Sequence, residues 1–193
     1  MSTATESVDL VGDDVVVNLV RAALLAALTG AFAYVSVELP VSVVPFTLQV
    51  LGVFLAALYL GPAWGTVSMV LYLLAGLLGL PVFEGGGAGL GALLGLTGGY
   101  LFSYPPAAAL AGVLVHGTDD LRAPSSVSLP RFVAAMVAAV AVIYTMGVLQ
   151  LSYVGNLGLG TAVATGAVVF LPAEALKIAA AVGVVRSEAV RPT

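Results

Sequence analysis

The 193-residue sequence predicts an all-α, polytopic membrane protein with six transmembrane helices and both termini in the cytosol. Three observations point there: an excess of apolar residues, the clustering of the few charges, and the placement of the arginines. Hydrophobic residues make up 61% of the chain before its 23 glycines are counted, against six basic and ten acidic residues. Soluble domains have about 45–50% apolar residues with glycine included, and about 25% charged ones. So few charges cannot cover a globule of this size, and the surplus apolar surface must face lipid. A soluble monomer is thereby excluded. The charges also avoid two long stretches, since only Glu38 and Glu84 lie between Ala22 and Gly117, and only Glu174 and Lys177 between Phe132 and Val185.

A spanning helix needs about 20 predominantly apolar residues, within a range of roughly 17–25. Breaks where proline, glycine and charge coincide place spans at about 18–37, 44–60, 64–80, 90–116, 132–152 and 160–186. Glu38, Pro40 and Pro45 mark the first loop, and Pro45 can shorten the span that follows it. Gly61-Pro62 separates the second span from the third. The third loop is Pro81-Val-Phe-Glu-Gly-Gly-Gly-Ala-Gly89, and the fourth is the polar run from His116 to Arg131. Six crossings gather Arg21, Arg122, Arg131, Arg186 and Arg191 on one face and leave Glu38 and Glu84 on the other. Cytosolic loops carry the excess of positive charge, so the arginine face is the cytosolic one.

Residues 1–17 hold Glu6, Asp9, Asp13 and Asp14 without a base, unlike a secretory signal with its positively charged start. They are expected to form an acidic cytosolic tail, followed by a membrane domain over 18–186 and a short cytosolic tail over 187–193. Pro172 interrupts the sixth span. Proline inside a helix removes a hydrogen bond and clashes with the preceding turn, but fits the first turn of a helix. A short helix or re-entrant piece up to Phe170 is therefore expected, then a new helix from near Pro172 to about Glu188.

That break puts Glu174 and Lys177 in the first turns of the last helix, three residues apart and on one face. Ionisable groups inside a membrane segment are costly and mark a ligand or ion pathway unless they merely neutralise each other. Glycines cluster from Gly76 to Gly91 and again in Gly95-Leu-Thr-Gly-Gly-Tyr100, where Thr97 and Tyr100 supply polar groups. No Gly-x-x-x-x-Gly-Lys-Ser/Thr exists, because the one lysine is Lys177, so the chain has no recognisable site for hydrolysing ATP. No cysteine is present and His116 is the single histidine, so no thiolate metal site or histidine cluster can form. No nucleophile–base arrangement emerges, and an enzyme is not expected. Gln49 places a polar amide inside an apolar span, where either a helix or a ligand can satisfy it. In the first span Ala22/Ala26 and Ala23/Ala27 are small residues one turn apart, the pattern by which helices approach closely in lipid.

Five motifs then occur in order: Val44-Pro-Phe-Thr-Leu-Gln49, Leu60-Gly-Pro62 with Gly65, Gly79-Leu-Pro-Val-Phe83 with its glycine loop, Gly98-Gly-Tyr100, and Phe170-Leu-Pro-Ala-Glu-Ala-Leu-Lys177. Together they resemble the BioY family, the biotin-binding S components of energy-coupling-factor (ECF) transporters, over roughly residues 18–186. The resemblance implies an S-component fold in the plasma membrane that captures biotin from outside. It would release the vitamin inward when coupled to a transmembrane T component and two ATPase subunits. Biotin would be the transported ligand, with no cofactor, no metal and no nucleic-acid partner. Ala22, Ala23, Ala26 and Ala27 match the alanine motif that meets the T component.

The family's Pro-Gly-Asp-x-x-Lys stretch, which offers an acid and a lysine to the ligand, reads Pro172-Ala-Glu-Ala-Leu-Lys177 here, with Glu174 one methylene longer than aspartate. Gly87 stands where the family often has asparagine in the outer loop, and Leu96 where it often has proline. The resemblance assigns Glu174 and Lys177 to the ligand's polar groups and Phe83 and Tyr100 to the cavity walls. Gln49, Thr97 and Gly87 are further candidate contacts, and residues 81–89 a candidate lid. The alternatives are an S component for another vitamin, a small secondary carrier relaying ions through Glu174 and Lys177, and a ligand-free membrane subunit.

Overall fold

A segment that crosses hydrocarbon must satisfy its backbone hydrogen bonds internally, which leaves helices as the elements open to a chain this apolar. The computed structural model describes residues 12–118 and 121–187. The first helix, α1 (Asp13–Ala33), is followed by two short strands, β1 (Ser36–Val37) and β2 (Phe46–Thr47). The strands pair antiparallel, Ser36 opposite Thr47 and Val37 opposite Phe46. Then come α2 (Gln49–Leu77), α3 (Gly89–Leu94), α4 (Gly98–His116), α5 (Leu129–Val154), α6 (Leu159–Gly166) and α7 (Leu171–Arg186).

The helix α2 is two spans, not one. Gly61 has φ 71° and ψ −170°, a conformation that is essentially reserved for glycine, and the chain reverses there. Pro62 then occupies the start of the second limb, where its missing N–H costs nothing. Gly65 lies against the backbone of Ala56 and Ala57. Gln49 hydrogen-bonds Tyr72 at 2.6 Å, although 23 residues of straight helix would separate them by about 34 Å. Residues 49–60 and 62–77 are therefore antiparallel neighbours, and the six spans are α1, the two limbs of α2, α3 with α4, α5, and α6 with α7.

Several boundaries differ from the expected ones. The helix α1 begins at Asp13, inside the stretch expected as tail, because two acids in a first turn favour helix through the macrodipole. It ends at Ala33, and the expected continuation to residue 37 is taken up by β1. The second span starts at Gln49, since Pro45 and the strand pairing keep residues 44–47 extended. The expected fourth span is broken at residues 95–97, between α3 and α4. In the sixth, α6 stops at Gly166 and a 3₁₀ turn, Val168–Phe170, precedes α7, with Pro172 in its first turn as anticipated. The helix α7 ends at Arg186, and residues 1–11 and 188–193, with Arg191, lie outside the described part.

Hydrogen bonds distinguish the two ends of the bundle. At one end the Gly61 turn packs on Leu121 and His116, Arg131 Nε donates to the Leu114 carbonyl, and Arg186 Nη2 donates to the Val127 carbonyl. His116 Nδ1 accepts from the Arg122 N–H, so Nε2 carries the proton that it donates to the Leu58 carbonyl. The opposite end joins Tyr34 to Pro81, Ser36 to Glu84, and Ser42 to Thr165. Arg122, Arg131 and Arg186 thus gather at one end and Glu84 at the other, the distribution the span count requires.

The four alanines of α1 divide between two faces. Ala22 and Ala26 are buried against α2, where Ser68 Oγ donates to the Ala22 carbonyl at 2.8 Å. Ala23 and Ala27 are exposed on the outside of the bundle.

Candidate ligand-binding cavity

Toward the acidic end, the spans enclose a cavity of ≈ 290 Å³, close to the lower limit of about 300 Å³ for small-molecule sites. Its walls come from the 44–50 segment, the 83–87 loop, residues 92–104 of α3 and α4, Ile143 and Tyr144 of α5, Phe170, and Lys177 of α7. Each wall has a local reason. Pro45 keeps its neighbours extended so that Phe46 and Thr47 face inward, and the chain break at Ala167 resets the helix so that Lys177 enters from its first turns.

The polar centre is a charge pair. Lys177 Nζ donates to Glu174 Oε1 at 2.6 Å, and Tyr144 OH donates to the same oxygen at 2.9 Å. Glu174 is 2% and Lys177 4% exposed. Moving such charges out of water costs several kcal/mol per ion, offset only by close pairing and further hydrogen bonds. The pairing is incomplete, because Glu174 Oε2 is buried without a protein partner. The ammonium also lies 4.5 Å from the centre of the Phe46 ring, a cation–π contact. The cavity wall therefore presents an ammonium and a phenol among apolar and aromatic side chains, with the unpartnered carboxylate oxygen buried behind them.

The walls are held by hydrogen bonds remote from that pair. Thr47 Oγ1 donates to Gln49 Oε1 (2.8 Å), Gln49 Nε2 donates to Tyr72 OH (2.6 Å), and Tyr72 OH donates to the Val82 carbonyl (2.9 Å). This relay ties β2, both limbs of α2 and the glycine loop together. Phe83 anchors the same loop. Its ring lies edge-on to Tyr72 at 5.5 Å and flat over Gly76, where a Cβ would have no room. Tyr100 OH donates to the Gly166 carbonyl (2.7 Å) at the end of α6. Tyr144 stacks on Phe170 at 6.3 Å and meets Tyr100 edge-on at 5.9 Å.

The expected candidates are thus brought together. Lys177, Tyr100, Phe83, Gln49, Thr97 and Gly87 all line the cavity, whereas Glu174 lies behind the wall that Lys177 and Tyr144 form. Gln49 finds its partner in another span, so its amide does not depend on a ligand. Sequence reasoning missed Tyr144, Tyr104, Phe46, Phe170 and Glu84 as wall residues. Tyr144 carried a usable signal, since a phenol amid the apolar run of α5 needs a partner in hydrocarbon. Among the described residues no three His, Cys, Asp or Glu side chains come together as a metal site.

A bundle of membrane spans closed around a small cavity with a buried charge pair at its wall defines a polytopic membrane protein built to hold a small, partly polar molecule. Comparison makes that specific. The chain belongs to the BioY family, whose sequence profile matches residues 2–192. The biotin transporter BioY of Thermotoga maritima is 38% identical over 136 residues, 70% of this chain and 75% of that one. The biotin transporter BioY of Rhizobium etli is 34% identical over 166 residues, 83% of this chain and 86% of that one. Among solved structures, the S-component for biotin from an ECF-type ABC transporter superposes with a TM-score of 0.82 at 25% identity, covering 95% of this chain and 96% of that one.

Proposed function

We propose that this chain is a biotin-capture S component, binding the vitamin from outside and releasing it inward when coupled to an ECF energising module. The buried Glu174–Lys177 pair at the cavity wall of a BioY-family chain carries the reading. Biotin has a ureido ring with two N–H donors and a carbonyl acceptor, an apolar thioether ring and a carboxylate tail. A carboxylate and an ammonium side by side complement the ureido group, and Phe46, Phe83, Tyr104 and Phe170 suit the apolar ring. Lys177 donates to a ligand oxygen, and Glu174, whose unpartnered Oε2 lies behind the wall, accepts from a ureido N–H once the ligand parts Lys177 from Tyr144. The protein is a transporter component rather than an enzyme.

The arginine end is assigned to the cytosol of the plasma membrane, with both termini there, and the acidic end to the outside. Of the alanine motif, exposed Ala23 and Ala27 form the face for the T component, with two ATPase subunits completing the module. Equilibrium binding of biotin to the purified protein in detergent tests the reading, with thiamine and riboflavin as controls. Selective biotin binding is expected; absence of binding by a folded sample overturns it.

A further inference from the structure

Resting on the biotin reading above, we infer that Tyr104 is a further ligand-contact residue, whose hydroxyl donates to the same ureido oxygen that Lys177 meets. The tyrosines around it are already engaged within the protein. Tyr100 OH donates to the Gly166 carbonyl, Tyr144 OH to Glu174 Oε1, and Tyr72 OH to the Val82 carbonyl. Tyr104 differs from all three. It lines the cavity and is 3% exposed, yet among the described residues its hydroxyl has no hydrogen-bond partner. The polar side-chain atoms sealed from any space without a partner are, among the described residues, Tyr59 Oη and Glu174 Oε2. The Tyr104 hydroxyl is not one of them, so it is open, and the space its side chain borders is the cavity. A phenol in an apolar surround needs a partner, and a ligand acceptor can supply it.

The hydroxyl is held in place before any ligand arrives. The Tyr104 ring stacks on Tyr72 with centroids 6.1 Å apart and planes 29° apart, and Tyr72 is itself fixed by Gln49 and the Val82 carbonyl. A donor positioned in advance loses less freedom on binding.

Its depth matches that of the ammonium. Tyr144 meets Tyr100 edge-on and holds Glu174, so Tyr100 and Glu174 stand at one level. The helices α4 and α7 both run from the acidic end to the arginine end, and Tyr104 follows Tyr100 by four residues as Lys177 follows Glu174 by three. At 1.5 Å per residue these steps carry the phenol about 6 Å and the ammonium about 4.5 Å further in. Two donors therefore face the inner part of the cavity. A carbonyl oxygen has two lone pairs and can accept from both, whereas a thioether sulfur is a weak acceptor. Glu174 beside Lys177 disfavours a second carboxylate there, which turns the ureido head inward and the acid tail toward the mouth.

The test is calorimetric titration of biotin, desthiobiotin and 2-thiobiotin into purified wild type and Tyr104→Phe. Desthiobiotin keeps the ureido ring without the thioether, and 2-thiobiotin carries sulfur in place of the ureido oxygen. Because the hydroxyl has no protein partner, Tyr104→Phe is expected to keep the ligand-free thermal midpoint. Its affinity for biotin and for desthiobiotin should fall about threefold to tenfold. The thio analogue, a poorer acceptor, should bind wild type more weakly than biotin does and change little in Tyr104→Phe. Unchanged biotin affinity in Tyr104→Phe, or a lowered ligand-free midpoint that accounts for the loss, overturns the contact. An equal loss for 2-thiobiotin, or a loss confined to biotin and absent with desthiobiotin, overturns the ureido oxygen as its acceptor. Each of these results leaves biotin capture intact; failure of biotin to bind folded wild type overturns the biotin reading itself.

Discussion

A lysine and a glutamate within one turn are common on helix surfaces; here both are buried, and Tyr144 donates a second hydrogen bond to the oxygen that Lys177 holds. Removing Lys177 alone would strand a buried carboxylate, a change that costs about 3–5 kcal/mol when such a pair is broken. The informative variant is thus the double change Glu174→Gln with Lys177→Met, which removes both charges. It is expected to fold, with a thermal midpoint in detergent close to that of wild type, yet to lose at least tenfold in biotin affinity. Each charged hydrogen bond is worth about 1.5–3 kcal/mol, or roughly tenfold to over a hundredfold. Unchanged affinity in a folded double variant would remove the pair from the site. Tyr144→Phe keeps the ring stacked on Phe170 but takes a donor from Glu174 Oε1. Calorimetric titration should show affinity reduced about threefold to tenfold, with stability little changed, since the ring and its packing remain.

At the scale of elements, the glycine loop is anchored from below, with Phe83 seated over Gly76 and the Val82 carbonyl held by Tyr72. In Gly76→Ala the new Cβ would clash with the face of the Phe83 ring, so the ring and the loop above it must move. Overpacking of this kind costs about 1–3 kcal/mol. A lower thermal midpoint is expected together with weaker biotin binding, because the same loop walls the cavity; a wild-type midpoint would show that the ring relocates without strain. The turn at Gly61 makes a different demand. Its φ of 71° with extended ψ is closed to alanine, and Leu121 also occupies the space a Cβ would need. Gly61→Ala is expected to destabilise the α2 hairpin by about 1–3 kcal/mol, measurable as a lowered midpoint with biotin binding impaired in proportion to the unfolded fraction.

For the whole molecule, the absence of cysteine makes the orientation directly testable. Single cysteines can be placed at exposed Val41, near the acidic end, and at exposed Ser126, near the arginine end. A membrane-impermeant maleimide should label Val41→Cys in intact cells and Ser126→Cys only after permeabilisation. The reverse pattern would invert the topology. Docking divides the alanines of α1 by face. Ala23→Leu with Ala27→Leu adds bulk on the exposed side and should abolish co-purification with the energising module while biotin affinity stays at the wild-type value. Ala26→Leu adds the same bulk against α2 and should lower the thermal midpoint instead. Loss of co-purification only in Ala26→Leu would move the docking face.

Six spans, the arginine end and the placement of Glu174 and Lys177 behind a proline were legible in the linear chain, because hydropathy, charge and proline act within a single turn or a single crossing. The motif from Phe170 to Lys177 likewise pointed to the polar centre. Other features depended on residues far apart in sequence. That Tyr144 shares an oxygen with Lys177, that Gln49 is satisfied by Tyr72, and that Ala22 is buried while Ala23 is exposed each follow from how spans rotate against one another. Rotation about a helix axis leaves composition and hydropathy untouched, since in lipid no apolar face is preferred by solvent. Close packing and the pairing of buried polar groups choose among the rotations, and those choices exist only once the helices meet.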